Sequence, residues 1–85
     1  MSPPETLDKI LEQIILEELS KLQRGTKVRT LDFVNNIVNK LKEKTGEISE
    51  EMEVNIRGKI VDILWELQRK KIVKFEETLI RFEKL

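Results

Sequence analysis

Apolar residues along the first quarter of the chain fall at Leu7, Ile10, Leu11, Ile14, Ile15, Leu19 and Leu22. That spacing places them on one side of a 3.6-residue helix, so the segment is predicted to be a helix with a wide buried arc. Ser2, Pro3 and Glu5 suit its start: a capping hydroxyl, a first helical residue whose missing N–H costs nothing, and the acid of a capping box. Gly25 is expected in the C′ position. Leu16 lies outside the arc and is a candidate for contact beyond the core. Val34, Ile37, Val38 and Leu41, with Leu31 and Phe33 nearby, repeat the pattern in a second helix. Thr30 is expected to cap that helix, Asp32 to favour its first turn and Gly46 to stop it.

A third and longest helix is predicted from Ser49, its cap, to about Ile72. Its core stripe is Met52, Ile56, Ile60, Ile63, Leu64 and Leu67. Beyond Ile72 the period changes to alternation: Val73, Phe75, Ile80 and Phe82 point one way, Lys74 and Arg81 the other. This reads as a half-buried hairpin with Glu76-Glu77-Thr78 at its tip. Between the first two helices, Lys27-Val28-Arg29 is short and β-tolerant, either a single strand or an extended link. The expected architecture is mostly α with a small β-hairpin, in the order helix, strand, helix, helix, strand, strand. Residues 1–85 form one domain.

That succession resembles the winged-helix (winged helix-turn-helix) family over nearly the whole chain. The resemblance rests on element order and spacing. It implies two possible uses of the third helix and the hairpin, or wing: DNA binding, the family's best-known activity, or protein binding, as in many members. In size and charge balance the chain is similar to small accessory subunits of crenarchaeal DNA polymerase complexes. A transcription-associated subunit would share these features.

Charge decides between the two uses. The chain has 16 Lys and Arg against 16 Asp and Glu, a formal net charge of zero. The balance gives no global attraction to nucleic acid or to an anionic membrane. Locally, residues 26–46 carry five bases and two acids, whereas residues 47–65 carry two bases and five acids. The first turns of the third helix hold Glu47, Glu50, Glu51 and Glu53, with no base before Arg57. Glutamates after a serine cap stabilise the positive helix end, and they also oppose an approaching phosphate backbone.

Off the core stripe of the same helix stand Val54, Gly58, Val61 and Trp65, spaced i, i+4, i+7, i+11. They form a second apolar seam. Trp65 would be a natural anchor for a partner because tryptophan buries a large area with few rotamers lost. The alternative is that the seam is ordinary core, wrapped by the first helix and the hairpin. A glycine within a helix costs about 1 kcal/mol relative to alanine, which predicts close packing at Gly58 on either reading.

The leading expectation is therefore a non-catalytic adaptor that docks on a larger protein or on its own copy through Leu16, Val54, Gly58, Val61 and Trp65. It would serve a nucleic-acid-processing assembly such as replication or transcription machinery. The alternative is a dimeric DNA-binding regulator that contacts the phosphate backbone through Lys27, Arg29, Arg57, Lys59, Arg69, Lys70, Lys71 and Lys74.

Catalysis has no evident machinery. The chain lacks His, Cys and Tyr, its serines are taken as caps or stand alone, and no phosphate-binding glycine loop is present. No cofactor, metal or small-molecule substrate is expected. The absence of a signal-like start and of a spanning apolar run predicts a soluble cytoplasmic protein. Opposite charges four apart (Glu5/Lys9, Glu17/Lys21, Glu53/Arg57, Glu66/Lys70) are a pattern found in thermophiles and suggest a thermophilic archaeal origin.

Overall fold

The computed structural model describes residues 3–76 and 79–85, with side chains from Leu7 onward. Three helices, α1 (Pro3–Ser20), α2 (Thr30–Thr45) and α3 (Glu50–Arg69), combine with three short strands, β1 (Lys27–Arg29), β2 (Val73–Phe75) and β3 (Arg81–Lys84). The order is the expected one, and the fold is mostly helical with a small antiparallel sheet. Three expectations lie outside the described residues: the Ser2/Glu5 capping box, the Glu5/Lys9 pair, and Glu77 and Thr78 at the hairpin tip.

The strands run in the order β1-β3-β2, both pairings antiparallel. Val28 opposes Phe82 and Phe75 opposes Phe82 on the neighbouring strands. This register puts Val28, Val73, Phe75 and Phe82 on the inner sheet face, because side chains alternate along a strand. There Phe82 meets Phe33 of α2 edge-on, with ring centroids 5.1 Å apart. Leu11, Ile15 and Leu19 from α1, Ile37 and Leu41 from α2, and Ile56, Ile60 and Leu64 from α3 complete one continuous core.

Helix boundaries differ from expectation in ways that the backbone bonding explains. Helix α1 ends at Ser20, so Gly25 is not its C′ residue. The end of α1 and the turn after it are met from far along the chain: the Lys84 ammonium donates to the Leu19 and Leu22 oxygens at 2.8 and 3.2 Å. Gly25 N–H instead donates to the Lys84 carbonyl at 2.7 Å, extending the sheet edge.

Thr30 does not cap α2. The N-cap is Arg29, with no side-chain capping bond. The Thr30 hydroxyl donates to the Leu79 carbonyl at 2.9 Å and its N–H donates to that of Ile80 at 2.8 Å. These two bonds tie the start of α2 to the chain entering β3.

Ser49 does cap α3, its hydroxyl accepting from Met52 N–H at 3.2 Å. The helix stops at Arg69, short of Ile72. Lys71 takes a left-handed φ of 63°, its N–H donates to the Gln68 carbonyl at 3.0 Å, and Ile72 N–H donates to that of Leu67 at 2.9 Å. That pair of bonds is a Schellman ending, with lysine where glycine is usual.

Two residues assigned to the interior are at the surface. Met52 is 45% exposed and lines open grooves with Leu7 of α1. Ile80 is 57% exposed. The strand alternation begins only at Arg81, because Leu79 at φ 60° turns the chain and Ile80 directs its carbonyl to Thr30. Of the other helix pairs, Glu53–Arg57 forms, with Arg57 Nε 3.4 Å from the carboxylate. Lys21 binds Glu18 at 2.8 Å in place of Glu17, and Arg69 rather than Lys70 reaches Glu66 at 3.4 Å. Glu18 is also held by the Asn36 amide at 2.8 Å, which fixes it where Lys21 can meet it.

Candidate interaction surface on helix α3 and the sheet

Val54, Gly58 and Trp65 run along the side of α3 turned from the core, and Val61, at the border of that side, packs in part against the core. Val54 is 69% exposed, Gly58 is exposed and Val61 half-buried. Trp65 retains 38% exposure because one side of its indole rests on Phe75 of β2, with centroids 4.9 Å apart and planes tilted by 43°. It is therefore neither free nor core. A side chain built at Gly58 would meet no atom within 4 Å, so no packing within the chain calls for glycine there. The expectation of close intrachain packing at Gly58 is not met.

This ridge separates two grooves. On one side Val61 forms a wall of a depression of about 470 Å³ between the start of α2, α3 and the residues entering β3. Its apolar lining includes Leu31, Leu79 and Ile80; Leu31 alone is 63% exposed. Arg29 and Arg57 stand at its edge, and among the described residues no carboxylate lines it. On the other side, Val54 and Gly58 border a groove of about 420 Å³ shared with Leu7, Met52 and Asp62. Leu16, 40% exposed on α1, lines neither groove. Leu31, Leu79 and Ile80 were not anticipated as surface groups.

The cations around α3 and the sheet fall into two sets. Those of α3 have carboxylate partners: Arg57 is held by Glu53, Lys59 by Asp8 at 2.7 Å, and Arg69 by Glu66. Lys42 of α2 also reaches Glu53, at 2.9 Å. Hydrogen bonding to Lys42, with the charges of Lys42 and Arg57, holds the Glu53 carboxyl below its ordinary pKa. Lys21 does the same to Glu18, against the opposing effect of burial.

The second set is gathered by the sheet. Lys27 and Arg29 of β1 and Lys74 of β2 share its outer face with Arg81 of β3, a residue the sequence reading used only to mark the alternation. Glu83 sits between Lys27 and Lys74 in register, and Lys27 lies 3.6 Å from Glu76. Arg29, Lys74 and Arg81 have no ion-pair partner among the described residues. Lys70 and Lys71 are exposed where α3 ends.

Among the described residues no group of three or more Asp or Glu is placed to hold a metal ion, and no helix is long and apolar enough to cross a membrane. Comparison with protein-family models, with curated proteins and with solved structures gives no match in any of the three.

Proposed function

We propose that this chain is a winged-helix, non-catalytic interaction subunit that binds protein through the outer side of α3 and the adjoining α2–hairpin groove. The observation that carries this reading is the chemistry of that surface. Val54, Trp65, Leu31 and Ile80 present apolar area to solvent, whereas Arg57, Lys59 and Arg69 of α3 each have a carboxylate within 3.4 Å. Phosphate recognition needs the reverse, since neutralising backbone charge supplies most of the affinity for DNA. A contiguous apolar surface rimmed by polar groups suits a polypeptide. A place in replication or transcription machinery rests on the likeness in size, charge balance and winged-helix element order to small accessory subunits of crenarchaeal DNA polymerase complexes.

A second reading has its own support. The outer sheet face, with Lys27, Arg29, Lys74 and Arg81 around Glu83, could lie along a phosphate backbone without reading bases. Fluorescence anisotropy with a labelled duplex at about 50 and about 200 mM salt separates the two. The protein-binding reading expects no affinity tighter than about 10 µM, a standard free energy near −7 kcal/mol. Micromolar binding with a steep negative salt slope, lost in Arg29→Ala/Lys74→Ala/Arg81→Ala, would replace it with the nucleic-acid reading.

A further inference from the structure

We infer that the outer face of α3 is self-complementary and pairs with the same face of a second copy of this chain, the two helices running antiparallel about a twofold axis. The inference rests on the protein-binding reading and names its partner.

Helix α3 spans Glu50–Arg69, so its midpoint falls between Lys59 and Ile60. Gly58 and Val61 stand equally far on either side of that point, and so do Val54 and Trp65. A twofold axis there reverses the second helix. It sets Val61 of each copy over Gly58 of the other, and Val54 of each against the exposed part of the other's indole. The notch at Gly58 is open, with no atom within 4 Å of where a Cβ would lie. A methyl-bearing side chain from outside can therefore enter it, which gives the glycine the use that the monomer does not.

Charge follows the same symmetry. Glu51 and Arg69 are eighteen residues apart, five whole turns, and so share one flank of the helix. Reversal places Glu51 of one copy within about one residue's rise, roughly 1.5 Å along the axis, of Arg69 of the other. Arg69 is highly exposed and held only at 3.4 Å by Glu66, so it can turn to a second carboxylate. The acidic start and basic end of α3 are thus opposed twice, and the helix dipoles run antiparallel. A parallel pair would set the acidic ends together. A nucleic acid would meet those acids directly.

One helix pair buries less than the roughly 800 Å² per partner of a standard interface, so association is expected in the micromolar range. Sedimentation equilibrium on the full chain from about 10 to about 500 µM spans that range. The mass should rise from one chain toward two. Gly58→Gln fills the notch with a good helix former: it should raise the melting temperature by several degrees and weaken association at least about tenfold. Loss of the dimer with a gain in stability cannot come from unfolding. Glu51→Lys and Arg69→Glu should each weaken the dimer, and the double charge exchange should restore it.

A monomer at every concentration overturns the inference, as does a dimer indifferent to Gly58→Gln and to the charge reversals. A monomer that also ignores duplex DNA leaves the protein-binding reading intact for a different partner. Salt-sensitive duplex binding through the sheet cations removes that reading, whatever the mass.

Discussion

Replacing Trp65 with alanine tests the surface assignment at its centre, because the indole is shared between the fold and the solvent. Tryptophan in a protein covers on the order of 200 Å². With 38% of the residue exposed, roughly 120 Å² of that is buried, much of it against Phe75. At about 25 cal/mol per Å² the burial contributes about 3 kcal/mol. Alanine keeps a part, so the expected loss is about 2–2.5 kcal/mol. A chain of this length is expected to have about 4–13 kcal/mol of stability, so Trp65→Ala should remain folded.

Urea denaturation followed by circular dichroism measures the difference, since the variant lacks the only tryptophan. The expected result is a lower midpoint with an unchanged slope, and a native spectrum in water. Loss of more than about 4 kcal/mol, or failure to fold, would show the indole to be a core strut. A loss below about 0.5 kcal/mol would show that its contact with Phe75 contributes nothing. Either result removes the two-sided role on which the interaction surface is built.

Three further predictions follow from single contacts. Lys71→Gly should relieve the left-handed backbone at φ 63°; about 1–2 kcal/mol of steric cost, less about 0.4–1 for the freer unfolded chain, leaves a gain near 0.5–1 kcal/mol. Thermal melting should show a rise of about 3–6 °C, absent in Lys71→Ala, which loses the same charge but keeps the strain. Lys84→Met should cost about 1–2 kcal/mol in urea denaturation, because it removes the ammonium donor from the Leu22 carbonyl and leaves the Leu19 carbonyl with the Leu22 N–H alone. The lowered carboxyl pKa values of Glu18 and Glu53 mean that their contribution is complete above the ordinary value of 4.5 and lost as pH falls through the depressed folded values. Chemical denaturation from pH 7 to 3 should show stability declining below about pH 4.5, with a shallower decline in Glu18→Gln/Glu53→Gln.

Much of this molecule was legible because its helices carry their instructions locally. The 3.6-residue period identified Ile56, Ile60, Leu64 and Leu67 as one buried line of α3, and the serine at position 49 announced the helix start. What failed was whatever depends on a distant neighbour. Periodicity states which side of a helix turns inward, not how far the covering element extends, and so Met52 was placed inside. The same limit explains α1: its carbonyls are capped by Lys84, more than sixty residues away, and no local residue foretells that. Thr30 looked like a cap because its type and position fit. Its hydroxyl is instead drawn to Leu79, a partner supplied only when β3 pairs with β1.

The candidate surface divides in the same way. The seam was readable as apolar residues off the core stripe, but its two boundaries come from elements remote in sequence. Phe75 closes one side of Trp65, and Leu31, Leu79 and Ile80 extend the apolar area beyond Val61. The charges were harder still, because a count cannot show which cations are already neutralised. Asp8 reaches Lys59 from another helix, and Glu53 serves both Lys42 and Arg57. Among the described residues Arg29, Lys74 and Arg81 on the sheet have no ion-pair partner, and neither do Lys70 and Lys71 at the end of α3. A protein that met DNA through α3 would need the opposite arrangement, with unpaired cations on the helix and carboxylates elsewhere. Breaking three existing ion pairs to free the helical cations would leave Asp8, Glu53 and Glu66 facing the phosphates. The ion pairs of α3 thus argue for a polypeptide partner independently of its apolar ridge.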